Sequence, residues 1–161
     1  MKNILFLCTG NSARSVIAEG LLRKKGVGRF NAFSAGSKPT GTPNPAAIAV
    51  LEANGIETNF AASKSWDVFS DPAHEEMHLV VTVCANAAGE TCPIWPGGPV
   101  TAHWGVEDPA AVTQDIAAIT AAFAKTYDEM DRRITALLAL DENDDKDIWL
   151  EMVRAIGKMD D

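Results

Sequence analysis

Cysteine is scarce in this 161-residue chain, with three, and tyrosine is scarcer still, with one. Three cysteines cannot build a disulfide framework, which excludes a small bridge-held scaffold. Basic residues are outnumbered: fourteen Lys and Arg face twenty-two Asp and Glu, a net charge of −8. A surface of that sign repels a polyphosphate backbone, so no nucleic acid is expected as a general partner. Any anion the protein binds must be held locally, against the field of the whole molecule. Long apolar runs are missing too, and nothing approaches the ~20 residues that span a bilayer. Ile4-Leu5-Phe6-Leu7 is too short for a signal-peptide core, and no small-residue cleavage site follows it. The expected setting is the cytoplasm, without membrane contact, and the expected state is a monomer.

What remains is the composition of an ordinary globular domain, 47% hydrophobic and 22% charged, with enough chain for one core. Ile4–Leu7 reads as a strand buried on both faces of a parallel sheet. Thr9 to Asn11 break that pattern, and a helix is predicted over Ser12–Lys25 with Gly26 as its stop. A short strand follows at Asn31–Ala35. Asn44-Pro45 supplies an N-cap and first residue for a second helix, which Gly55 closes. Leu79–Val83 is the clearest strand, and the Gly- and Pro-rich stretch 85–99 is too irregular for a core element. Apolar residues stepping by three and four predict a long helix over Asp115–Leu140. The run 141–147 reads as a solvated acidic loop and Ile148–Lys158 as a closing amphipathic helix, with no second domain. Strands alternating with helices give an α/β fold with a mostly parallel sheet, whose ligands sit at the strand C-termini.

At the end of the first strand stands Cys8-Thr9-Gly10-Asn11-Ser12-Ala13-Arg14-Ser15. Such a loop can wrap its backbone N–H groups around a tetrahedral oxyanion at a helix N-terminus. Gly10 permits a turn that other residues avoid, and Arg14 adds a planar grip on two oxygens. The same positive potential favours the Cys8 thiolate as a nucleophile, with Ser15 placed to donate to the sulfur. A cysteine alone is more often inert packing. Arginine at this spacing, in a strand–loop–helix context, turns the reading toward a cysteine-nucleophile oxyanion site. Neither the Gly-Lys-[Ser/Thr] of a P-loop nor the third glycine of a dinucleotide fingerprint is present.

Displacement at an oxyanion requires a proton for the departing oxygen. Asp108, followed by Pro109, lies on a stiffened loop, and Glu107 beside it is a rival. A carboxyl near a bound anion keeps its proton more readily, although Asp-Pro by itself usually marks a turn.

Cys8-x5-Arg14-Ser15 after the first strand, Ser34-Ala35-Gly36 after the second and Asp108-Pro109 late in the chain resemble the low-molecular-weight protein tyrosine phosphatases. That resemblance implies a three-layer α/β sandwich with a four-stranded parallel sheet of flavodoxin-like winding, and it favours Asp108 as the acid. Ala110 stands where those phosphatases usually carry an aromatic residue, and the single tyrosine, Tyr127, is in the long helix. Val80-Val-Thr-Val-Cys84, Cys92-Pro93 and His103-Trp104-Gly105 make the chain similar to the three-cysteine arsenate reductases built on the same fold. The resemblance covers residues 1–140 as a catalytic domain. It leaves 141–161, the acidic loop and closing helix, outside.

This likeness implies reduction of arsenate to arsenite through Cys8, Cys84 and Cys92, with thioredoxin, or glutathione and glutaredoxin, as the regenerating partner. Thr9 to Ser15 would hold the substrate. The seven residues between Cys84 and Cys92 must fold back to bring two Cα atoms within the ~4.4–6.8 Å of a disulfide, so 85–91 is expected to be ordered differently in the two redox states. In such relatives Asn11, Glu19 and Ser34 help form a monovalent-cation site. Here Ser63-Lys64-Ser65 suggests the Lys64 ammonium in place of potassium; no tightly bound cofactor is expected. His74-Glu-Glu-Met-His78 matches a zinc-protease pattern, but the room for a helix is too short and no third ligand is evident. Trp66, Trp95, Trp104 and Trp149 read as packing, Trp95 also as a stiffener of the redox segment.

Overall fold

The computed structural model describes residues 1–83 and 100–159. Its described elements are β1 (Lys2–Leu7), α1 (Arg14–Lys25), β2 (Phe30–Ala35), α2 (Pro45–Ala53), α3 (Asp67–Ser70), β3 (Leu79–Thr82), β4 (Val100–His103), a 3-10 turn (Pro109–Ala111), α4 (Ile116–Leu138) and α5 (Lys146–Ile156). The four strands form one sheet in the order β2-β1-β3-β4. Every pairing is parallel, with Leu7 opposite Ala35 and Thr82, and Thr82 opposite His103.

Alternation along the central strand divides the core in two. Ile4 and Phe6 pack with Leu79, Val81 and Ala102 against apolar residues of α1, α2, α4 and α5. Leu5 and Leu7 face the other way, with Val80, Ala35, Phe69 and Met77. The uninterrupted apolar run that predicts a two-sided strand is therefore buried on both sides of the sheet.

Differences from the sequence reading have local causes. Helix α1 begins two residues later than predicted because Ser12 and Ala13 belong to the loop, the Ser12 carbonyl accepting from Asn44 N at 2.8 Å. Helix α4 stops at Leu138: Arg29 donates to the carbonyls of Leu138 and Leu140 and meets the Glu142 carboxylate, closing the end. The acidic run is not all loop. The Asp145 carboxylate caps α5 by accepting from Asp147 N, so α5 starts at Lys146 and ends at Ile156. Strand β4 and the single-turn α3 were not assigned from residue patterning, being four residues each. His74 of the zinc-like pattern stands edge-on to Phe69 and Phe33. His78 Nδ1 instead accepts from Asn3 N. Among the described residues no three His, Cys, Asp or Glu side chains gather as a metal site, and no helix is long and apolar enough to cross a membrane.

Candidate active site

Cys8 is the first residue past β1, buried, with its backbone N–H donating to Ala35 O across the sheet. Seven residues follow as loop and first helical turn. Helix α1 enters with Ala13 at its N-cap, no side chain capping it and no acidic residue in its first turn, while Arg23, Lys24 and Lys25 occupy its last. The first N–H groups of a helix have no partners within it, and here no side chain caps them. The positive end of the dipole thus faces the loop, free of any carboxylate of its own.

The loop is held from outside by its carbonyls. Thr9 O accepts from Lys38 N at 2.9 Å, Gly10 O from Thr40 N at 3.1 Å, and Ser12 O from Asn44 N at 2.8 Å. Beneath it lies Gly36, where a Cβ would collide with Thr9 O and sit 2.7 Å from Cys8 O. No other residue allows that approach, which explains a glycine at the end of β2.

Asn11 is the one non-glycine with positive φ among the described residues, at 47°. Its buried amide fastens it: Nδ2 donates to Ser15 Oγ and Ser34 Oγ, each at 2.9 Å, and Oδ1 accepts from Lys64 N at 2.9 Å. Ser15 Oγ, as an acceptor here, keeps its own proton to donate. Ser34 donates in turn to Glu19 Oε1 at 2.6 Å, and Glu19 is gripped by Arg23 and faces Lys64 Nζ at 4.0 Å. Burial pushes the Glu19 carboxyl above its ordinary range, against Ser34, Lys64 and Arg23, which pull it down. Burial likewise pushes the Lys64 amine down, opposed by Glu19.

Arg14 projects from the first turn with 14% of its side chain exposed. Its Nη1 donates to Val106 O at 3.0 Å, and Nη2 lies 3.8 Å from Asp108 Oδ2. Its Nε is buried without a hydrogen-bond partner among the described residues. The guanidinium therefore joins the Cys8 loop to the loop carrying Asp108. Asp108, 46% exposed, also caps the 3-10 turn by accepting from Ala110 N. Glu107, 93% exposed, turns away to Lys125 at 3.9 Å. Of the two adjacent carboxylates, the fold brings Asp108 to Arg14.

The structure thus gathers Cys8 to Ser15, Glu19, Ser34, Lys64 and Asp108 at the C-terminal edge of the sheet. Cys84, Cys92 and the segment between them lie outside the described residues. Val83, just before Cys84, donates its N–H to Leu7 O at 2.9 Å, beside the strand that ends in Cys8. Sequence reasoning missed the Val106 carbonyl and the bracing by Lys38, Thr40 and Asn44. Backbone atoms carry those contacts, and no side-chain pattern announces them.

The family model described as low molecular weight phosphotyrosine protein phosphatase matches residues 3–147. An arsenate reductase of Bacillus licheniformis is 36% identical over 133 residues, covering 83% of this chain and 92% of its own. A solved arsenate reductase in its reduced state superposes with a TM-score of 0.66 at 26% identity, covering 86% of this chain and 98% of that one. The thioredoxin-dependent arsenate reductase of Corynebacterium glutamicum, at 24% identity and a TM-score of 0.62, shares the fold over 86% of this chain and 60% of its own. By sequence match and by architecture, this chain belongs to the low molecular weight phosphotyrosine protein phosphatase family.

Proposed function

We propose that this protein reduces arsenate to arsenite, with Cys8 as nucleophile and a dithiol as the ultimate electron donor. One observation carries the reading: Cys8 opens the loop that leads into an uncapped helix N-terminus, whose Arg14 is tethered to the Asp108 loop, in a chain 36% identical to an arsenate reductase. The N–H groups of the loop and Arg14 hold the oxyanion. The Cys8 thiolate attacks arsenic, an As–S bond forms, and Asp108 protonates the departing oxygen, which leaves as water. Cys84 then attacks the Cys8 sulfur. The As–S bond breaks with its electron pair going to arsenic, arsenite departs, and a Cys8–Cys84 disulfide remains. Cys92 attacks Cys84, Cys8 leaves as thiolate, and the Cys84–Cys92 disulfide passes to an external dithiol.

Thioredoxin is the partner this relay favours, over glutathione with glutaredoxin, because two protein thiols carry the oxidising equivalents outward. A reducing cytoplasm is the compartment that supplies it. In the same reading the Lys64 ammonium, facing the buried Glu19 carboxylate, does the work of a monovalent cation behind the loop. The family match favours a second reading, hydrolysis of a phosphate ester by Cys8, Arg14 and Asp108 alone. Substitution separates the two. Cys84→Ser is expected to abolish arsenite release, assayed with thioredoxin and its reductase against glutathione with glutaredoxin, while sparing slow hydrolysis of an aryl phosphate. Arsenite release undiminished in Cys84→Ser would overturn the relay; a chain releasing none in any background, yet hydrolysing the ester, is a phosphatase.

A further inference from the structure

Ser63 stands outside the loop, yet its hydroxyl sits where three segments meet. Its Oγ donates to Gly10 O at 2.9 Å, accepts from Gly41 N at 3.2 Å and lies 3.4 Å from Thr40 Oγ1. Gly10 O also accepts from Thr40 N at 3.1 Å, so two donors hold this one carbonyl. Among the described residues, Thr9 O accepts from Lys38 N and Ser12 O from Asn44 N.

The doubly held carbonyl belongs to the Gly10–Asn11 peptide. It joins Gly10, which tolerates almost any ψ, to Asn11 at φ 47°. Rotating that peptide by a half-turn would carry Asn11 to a φ near −130°, on the negative-φ side of the map where residues with a Cβ normally lie. Left-handed backbone costs free energy in a residue with a Cβ, and the flip would relieve that cost. In a trans peptide the C=O and N–H point in opposite directions. Holding Gly10 O outward aims the Asn11 N–H at the space the loop encloses; a flip would aim a carbonyl oxygen there and repel an anion.

We infer that Ser63 is a positioning residue for oxyanion binding: its hydroxyl pins the Gly10–Asn11 peptide so that the Asn11 N–H, not the Gly10 carbonyl, faces the substrate. The inference rests on the oxyanion-site reading of the Cys8 loop and adds a residue to it. Thr40 N alone remains in a Ser63→Ala chain, and the flipped peptide then competes. Ser63→Thr keeps the hydroxyl.

The test uses inorganic phosphate and needs no turnover. Cys8 is alkylated with iodoacetamide at fixed pH under rising phosphate, the Cys8 peptide is followed by mass spectrometry, and thermal melts are recorded alongside. Ser63→Ala is expected to raise the phosphate concentration that halves the Cys8 alkylation rate about five- to tenfold, the worth of one lost hydrogen bond. Ser63→Thr should stay within about twofold of the unsubstituted protein. With arsenate, the Ser63→Ala loss should fall on KM more than on kcat. Protection of Cys8 unchanged in Ser63→Ala, or a lowered melting temperature with unchanged protection, would overturn the role. If phosphate fails to protect Cys8 in the unsubstituted protein, the oxyanion-site reading itself falls, a result distinct from the other two.

Discussion

At the scale of single residues, three choices carry this site. Asn11 accepts a left-handed backbone because its short amide finds partners on three sides, in Ser15, Ser34 and Lys64 N. Gly36 accepts the Cys8 loop against its α-carbon, where any side chain would strike backbone. Glu19 is buried and answered by Arg23 at 2.8 Å, by Ser34 and, more distantly, by Lys64. In the proposed reading the Lys64 ammonium is a fixed cation at that place, which would make a free cation superfluous. The unsubstituted protein should therefore show the same arsenate turnover in potassium as in sodium chloride at one ionic strength. Lys64→Ala uncovers oxygens of Glu19 and Ser34, which suit a hard monovalent ion. Its turnover and melting temperature are expected to rise with potassium over sodium, and equal values in both salts would count against Lys64 as the ion's replacement.

Elements divide the labour between holding substrate and holding shape. Helix α1 keeps its N-terminus open at the cost of a cap, and a cap is ordinarily worth about 1 kcal/mol. Helices α2 and α4, by contrast, are capped by Asn44 and Asp115. Helix α5 lies almost wholly beyond the family match, which ends at residue 147, and its contacts give it a task. Val153 O accepts from the indole of the buried Trp104 at 2.9 Å, Arg154 Nε donates to Thr101 O at 3.0 Å, and Gly157 lies against the His103 carbonyl. It thus braces edge strand β4 and the start of the segment leading to Val106 and Asp108. Trp104→Phe keeps an aromatic ring near Phe6 but leaves Val153 O without that donor. A loss of about 1–2 kcal/mol in denaturant unfolding is expected; no loss would show that α5 rests on β4 without bracing it.

For the molecule as a whole, strand order decides where chemistry can occur. With β1 between β2 and β3, Cys8 emerges amid the segments that follow β2, precede α3 and follow β4. These supply Lys38, Ser63 and Val106 respectively. This is the position at strand C-termini where open α/β sheets take their ligands. Around it the chain carries a net charge of −8, so the long-range field opposes the dianion that, in the proposed reading, the loop attracts at short range. Raising sodium chloride from about 0.02 to 0.2 M shortens the screening length from roughly 20 to 7 Å. Repulsion from distant carboxylates should fade before the buried loop is affected, and kcat/KM for arsenate should rise. A fall over that range would mean that the field of the loop, not of the surface, governs approach.

Much of this was legible in the residue string. The apolar run of β1, the Asn44-Pro45 start of α2, the period of α4 and the Cys8–Arg14 spacing are local signals, because each depends on neighbours within a turn or two. Strand β4 was too short to leave a pattern: the resemblance implied a fourth parallel strand, and the fold alone shows where it lies. Asp108 over Glu107 could not be settled by composition, since adjacent carboxylates differ only in what the fold turns them toward. The amino-acid order alone pointed to Cys8 as the candidate nucleophile, to Arg14 and to strands alternating with helices, each through a signal short in sequence. Tertiary structure alone decided that Val106 O receives Arg14, that Gly36 underlies the loop, and that Ser63 reaches Gly10 across 53 positions of the chain. Those contacts join backbone groups and small side chains far apart in the chain, and such groups become specific only when folding brings them within hydrogen-bonding distance.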